Sequence, residues 1–312
     1  MPAPFVLAVD IGGTKLETAV VDAAGRIVAG SRSRRPTGRG RDRAEVVTAL
    51  RESVDQSLRA APAGVSAAGI GSAGPVDLPT GTVSPHNLPL LRGLPVREIV
   101  ENAAGVLTVL RLDGTCIAVA EEWLGATRGS RVSMSMVVST GVGGGVIADG
   151  APLAGASGNA GHVGQIHVHT GAPRTAVEDS TLEAVASGPA AVRWARERGW
   201  EGASGEDLAR GVLLGDPVAE QATRRSAYLV GQAVASVATL LDLEVVAIGG
   251  GFSRVREDYV DLVRRSVAEN VLFPYAARVR VYRSGLGDEG PLLGAAALAL
   301  RVGDAVRTSA VP

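Results

Sequence analysis

Three short apolar runs along the chain each stop at a cluster of glycines. Phe5-Val6-Leu7-Ala8-Val9 runs into Asp10-Ile11-Gly12-Gly13-Thr14-Lys15, and Met136-Val137-Val138 leads through Ser139-Thr140 to Gly141-Val142-Gly143-Gly144-Gly145. Val245-Val246-Ala247-Ile248 ends on Gly249-Gly250-Gly251. Runs of this length, rich in β-branched residues and bounded by turn residues, predict buried strands. After the first cluster the pattern turns apolar again over 16–21, and a further strand is expected at 26–30, so a hairpin follows the glycines. A dinucleotide fold or Walker-type loop would place a helix there. The second cluster repeats the unit, with Val146-Ile147-Ala148 after it and a turn at Asp149-Gly150. Two strand–turn–strand units, one per half, predict related halves that share a phosphate.

A period of 3.6 takes over at 43–59, where Val46, Val47, Leu50, Val54 and Leu58 share one helical face. Further helices are expected near 114–125, 180–198, 217–240, 254–270 and 290–302, with Pro189 beginning a new helix inside the second. Strands are expected at 67–71, leading into a loop over 72–77, and at 106–110, with Asp113 just beyond the strand end. This alternation predicts an α/β protein. Open sheets of that class carry their chemistry at the carboxyl ends of strands, where Asp10, Gly74, Asp113 and Gly141 fall.

Charge adds one sharp feature. Lys15 is the single lysine of the 312 residues, and it closes the first glycine turn. Glycines let backbone N–H groups approach an anion, while Thr14 and Lys15 add a hydroxyl and a point charge. The net charge of -1 argues against a general polyanion partner. The basic run Arg32, Arg34, Arg35, Arg39, Arg41 and Arg43 reads as a solvated loop leading into the first helix, so no nucleic-acid partner is expected. No apolar stretch approaches the roughly 20 residues of a membrane span and no signal-peptide pattern opens the chain, so a cytoplasmic protein without a membrane partner is expected. Cys116 is the single cysteine, which excludes an intramolecular disulfide.

Taken together, these motifs resemble the ROK family of bacterial sugar kinases and sugar-responsive repressors. The resemblance runs from Asp10–Lys15 to Leu293-Gly294-Ala295-Ala296. It includes Gly69-Ile70-Gly71-Ser72-Ala73-Gly74-Pro75-Val76-Asp77, Asn87-Leu88-Pro89, Thr140–Gly145 and Gly249–Gly251. It implies a two-domain actin-like ATPase (ribonuclease H-like) fold. The expected domains are 1–112, with a C-terminal helix at about 291–304 packing back on it, and 113–290, with the active site in the cleft between them. ATP and Mg²⁺ are the implied cofactors, and a homodimer is expected. The chain opens directly on the first phosphate strand, which favours the kinase over the DNA-binding repressor.

By the same resemblance, Asp113 is the catalytic base. Asp10, Gly12, Gly13, Thr14, Lys15, Thr140, Gly141, Gly143, Gly250 and Gly251 handle ATP and its phosphates. Gly74, Asn87, Leu112, Asp113, His162, Gln165 and Glu183 face the acceptor. Three positions depart from the family pattern. Leu112 replaces an Asn, His162 replaces the Glu of Gly-Glu-x-Gly-His, and Gln165 replaces its His. The family's three zinc-binding cysteines are absent from the segment 174–181, so no structural zinc is expected. His162, His167 and His169 form at most a different metal site, weighed against plain polar residues on a half-exposed strand. A kept base amid altered hydroxyl ligands implies a changed acceptor: glucose, an amino sugar such as kanosamine, or a cyclitol. A catalytically weak, sugar-binding pseudokinase with a regulatory role is the competing reading.

Overall fold

The computed structural model describes residues 5–38, 41–86, 88–171 and 176–309, with Glu178 and 304–309 described by backbone alone. The chain divides into two compact units. Unit 1 comprises 1–124, 153–160 and 288–312, and unit 2 comprises 125–152 and 161–287.

Unit 1 holds a five-stranded sheet. Its strands are β1 (Phe5–Ile11), β2 (Lys15–Val21), β3 (Ser33–Pro36), β4 (Val65–Ser72) and β7 (Thr108–Leu112), in the order β3-β2-β1-β4-β7. β1 pairs antiparallel with β2 and parallel with β4. A two-stranded ribbon, β5 (Val76–Asp77) with β6 (Thr82–Val83), stands beside it. The helices are α1 (Arg43–Arg59), α2 (Val96–Ala104), α3 (Asp113–Leu124) and α9 (Gly290–Ser309). Asp42 caps α1 in a reciprocal capping box with Glu45, and Val46, Leu50 and Val54 face the core. Val47 and Leu58, on the same predicted face, are only partly buried against it.

α9 packs tightly on this sheet and on α3 because a glycine clears each contact. A Cβ on Gly69 would stand 1.9 Å from the Ala295 carbonyl oxygen, and one on Gly294 would stand 1.7 Å from that of Cys116. These contacts place both α3 and α9 in unit 1, so the division falls after Leu124 and not at 112.

Unit 2 repeats the pattern with β8 (Val132–Val138), β9 (Val142–Ala148), β10 (Ala151–Pro152), β11 (Val245–Gly249) and β12 (Arg280–Arg283), in the order β10-β9-β8-β11-β12. Its helices are α4 (Leu182–Ala186), α5 (Gly188–Arg196), α6 (Gly205–Leu213), α7 (Pro217–Leu241) and α8 (Tyr259–Asn270). Pro189 does sit in the first turn of a new helix, whose cap is Ser187. No described helix is long and apolar enough to cross a membrane.

Several expectations are corrected. The stretch 26–30 makes only an isolated bridge, Val21 to Ile27, and the third strand is Ser33–Pro36. The start of the basic run is therefore an edge strand, stabilised because Arg34 lies directly opposite Glu17 in the register. Gly143, Gly144 and Gly145 lie within β9, and the turn itself is 139–141. His167 and His169 are not on a strand: His167 makes one bridge, to Thr181, and its Nδ1 lies 2.9 Å from Ser180 Oγ. The helix expected from 254 starts at Tyr259, after a 3-10 turn at Phe252–Arg254. Asn87 lies outside the described residues.

Candidate active site

In unit 1 the first glycine turn is closed by the Gly12 N–H donating to the Lys15 carbonyl at 2.9 Å. Thr37 fastens it from just beyond β3, its N–H to the Thr14 carbonyl and its hydroxyl to that of Gly12 at 2.8 Å. Gly13 and Thr14 at the tip stay exposed, as an anion-binding turn requires. Behind the tip, Asp10 is 8% exposed and sits directly across the ladder from Glu17. Burial, then the nearby Asp113 charge, pushes the Asp10 carboxyl up to about 7, while Lys15 pulls the other way.

Asp113 begins α3 immediately after β7, and its Oδ1 accepts the Gly114 N–H at 2.7 Å. A carboxylate in the first turn of a helix is favoured by the helix dipole. Cys116, one turn on, is fully buried, and burial with the Asp10 and Asp113 charges raises its thiol well above the ordinary value. It is therefore no nucleophile. Leu112 is 2% exposed and belongs to the apolar core of unit 1. Gly74 precedes Pro75 in the loop after β4. That loop is held by Asn159, whose Oδ1 accepts from the Val76 N–H and whose Nδ2 donates to the Val76 carbonyl, both at 2.8 Å.

In unit 2 the second turn runs Ser139-Thr140-Gly141, with the Ser139 N–H donating to the Gly141 carbonyl at 2.8 Å. Glu183 stands against it: Oε2 accepts the Val142 N–H at 2.9 Å, and a Cβ on Gly141 would come within 2.5 Å of that oxygen. Gln165 Nε2 reaches Glu183 Oε1 at 3.4 Å. His162 occupies the position just before the 3-10 turn at Val163–Gln165 without a side-chain capping bond, and Gly164 lies flat on β9, where a Cβ would stand 1.9 Å from the Val142 carbonyl oxygen. Gly250, at φ +92°, presses on Val138 so closely that a Cβ would meet its carbonyl oxygen at 2.5 Å.

Thr140 and Gly251 open onto a cleft of about 1020 Å³ within unit 2. Its apolar lining includes Phe252, Val192 and Val255, and Arg193, Arg196 and Arg254 outnumber Glu197 and Glu206 among its charged residues. Gly188 keeps one wall thin, since a Cβ there would touch Phe252 and the Ser139 carbonyl at 3.1 Å. A large cleft with an apolar lining, glycine turns at its edge and a small excess of cations suits a nucleotide.

Sequence reading thus named the turns and the carboxylates. It missed Glu17, Arg32 and Arg34, Asn159, and the lining from α5 and α6. Only Glu17 left a visible signal, as an acidic residue at a buried position of a strand. Gly143 is separated from the second turn, on the body of β9.

The ROK family pattern matches residues 6–302. An N-acetylmannosamine kinase of Shigella boydii serotype 18 is 31% identical over 303 residues, covering 94% of this chain and 97% of its own. The solved ROK hexokinase of Thermus thermophilus superposes with a TM-score of 0.82 at 33% identity, covering 96% and 99% of the two chains. A ROK family glucokinase from Streptomyces griseus, solved with glucose and AMPPNP, gives 0.80 at 30% identity over 95% and 99%. The sheets and turns of this chain are those of the actin-like ATPase fold, and the chain belongs to the ROK family.

Proposed function

We propose that this chain is an ATP-dependent sugar kinase that transfers the γ-phosphoryl group to a primary hydroxyl of a hexose or hexose-like acceptor. The observation that carries the reading is Asp113 at a strand end beside the buried Asp10, in a chain whose other unit opens a nucleotide-sized cleft at its own glycine turns. The ROK relatives described above, kinases by name, support the same reading.

Phosphoryl transfer asks a protein mainly for positioning and charge compensation. Thr140, Gly141, Gly250 and Gly251 would hold the nucleotide, with Gly188 and Phe252 bounding the cleft. Gly12, Gly13, Thr14 and Lys15 offer N–H groups, a hydroxyl and an ammonium to its phosphates. Mg²⁺ supplies charge compensation when bound, and a hard oxygen donor suits it. Asp10 fits that role, because burial makes its carboxylate gain from a nearby cation. Asp113 would take the proton of the acceptor hydroxyl. His162 and Gln165, which depart from the family pattern, form a polar set with Glu183 that would set the choice of acceptor. Leu112, packed into the core, enters only as the neighbour of Asp113.

Glucose, an amino sugar such as kanosamine, and cyclitols all remain candidate acceptors, and a homodimer in the cytoplasm is the expected state. A coupled ADP-release assay across such a panel tests the reading. One acceptor should raise ADP release well above the acceptor-free rate. If none does, the kinase reading fails and the pseudokinase takes its place.

A further inference from the structure

Glu17 is an expensive residue to keep where it is. Its side chain is 2% exposed in the middle of β2, and Asp10, another buried acid, lies directly opposite on β1. Like charges facing each other across a ladder destabilise it. Three cations converge on Glu17 in return. Lys15 Nζ is 2.8 Å from Oε2, Arg34 Nη2 is 3.1 Å from the same oxygen, and Arg32 Nε bonds Oε1. Arg32 is itself anchored by Glu289 at 2.8 Å, just before α9.

Glu17 and Glu289 compensate two of these three charges, and the third remains beside the exposed tip of the phosphate turn. The three cations are not equivalent. Each arginine reaches Glu17 through one nitrogen of a rigid planar group; Glu289 holds Arg32 from the other side, and the register of β3 fixes Arg34 in place. Lys15 is a point charge on a flexible stem, and it belongs to the turn itself. Of the three it is the one able to change partners.

We propose that Glu17 is a positioning residue that holds the Lys15 ammonium beside the glycine turn and releases it to the donor's phosphates, while Arg32 and Arg34 keep the Glu17 charge compensated. The proposal rests on the kinase reading for the donor's identity. The buried charge is thereby explained: a carboxylate serving only the sheet would need no third, exchangeable cation.

The chain offers its own probe, since Lys15 is its single lysine. Protein labelled with ¹³C at lysine Cε gives one side-chain resonance, which is followed during titration with Mg²⁺–AMPPNP. The resonance should move as the nucleotide saturates. In Glu17→Gln it should start at a different position and move by less than half as much. With ATP and the best acceptor, Glu17→Gln should lower kcat/KM for ATP by about tenfold while leaving the acceptor KM unchanged. Lys15→Met should cost a similar factor, and the double variant should fall no further, because Glu17 acts through Lys15. Factors that multiply would mean two independent roles and would overturn the proposal. So would a wild-type resonance that stays still while calorimetry shows AMPPNP binding. Failure of AMPPNP to bind at all overturns the nucleotide reading as well, which separates the two failures. The wild-type titration needs no substitution, so a variant that misfolds leaves the test standing.

Discussion

The two glycine turns descend from one pattern, a strand, a turn and a returning strand, yet they solve opposite problems. The turn of unit 1 is open and charged: its tip is exposed, Lys15 closes it, and behind it the buried Asp10 and Glu17 lie among three cations. The turn of unit 2 is uncharged along its backbone and closely packed. Gly141 has Glu183 against it, Gly250 lies on the Val138 backbone, and Gly188 backs onto Ser139. The first turn has side chains free to adjust, whereas the second is locked, with its Ser139 and Val142 N–H groups already bonded within the turn and to Glu183. Repeated topology therefore gives both units a turn at the same place, while the side chains around each differ.

The largest expected effect tests the acid at the open end. Asp113→Asn should reduce kcat by roughly 10²–10⁴-fold, the usual contribution of a positioned general base, with nucleotide binding nearly intact. Turnover within about tenfold of wild type would remove Asp113 from that role.

Next comes Asp10, whose folded pKa of about 7 lies above the 3.8 of an ordinary Asp. The folded state then binds the proton more tightly than the unfolded chain, so the stabilisation is full below about pH 4 and is lost as pH rises through 7. Asp10→Asn should flatten this dependence and raise stability at pH 8 by roughly 2–4 kcal/mol, since a tenfold difference in proton affinity is worth about 1.4 kcal/mol. Denaturant melts at pH 4 and pH 8 measure it. Equal pH slopes in both proteins would show that Asp10 is charged in the folded state.

A third change probes the packed turn. Gly250→Ala adds a Cβ at φ +92° against the Val138 backbone, and backbone strain of that kind costs about 1–3 kcal/mol. The same change at Gly13, where a Cβ meets nothing within 4 Å, should be far milder. Comparable melting temperatures for the two variants would erase the distinction between the turns.

The smallest effect concerns acceptor choice. His162→Glu with Gln165→His restores the family pattern in unit 2, and each recovered hydrogen bond to a buried hydroxyl is worth about 1 kcal/mol net. kcat/KM for glucose relative to the best alternative should rise several-fold. Leu112→Asn is a poorer lever than the sequence suggests, since it would place an amide in the apolar core of unit 1.

Much of this was open to sequence reading because it is local. Apolar runs ending on glycine located the ends of β1, β8 and β11, helical periodicity found α1, and Pro189 marked the break between α4 and α5. Asp10 and Asp113 were named because each follows or closes a strand in a readable motif. The strand misplaced at 26–30 shows the limit. Ile27-Val28-Ala29 looks more strand-like than Ser33-Arg34-Arg35-Pro36, but pairing with β2 favours the stretch that sets Arg34 opposite Glu17.

By itself, then, the sequence determined the alternation of elements, the glycine turns, Asp10 and Asp113 near strand ends, and the family. Only tertiary structure decided that Glu17 gathers three cations, that Asn159 pins the loop after Gly74, and that α5, α6 and two glycine turns enclose one cleft. Periodicity and turn chemistry report on neighbours a few residues apart, where one residue's environment is set by the next. An ion pair, a hydrogen-bonded loop or a cavity wall joins segments tens of residues apart, and strand register and helix packing bring those together.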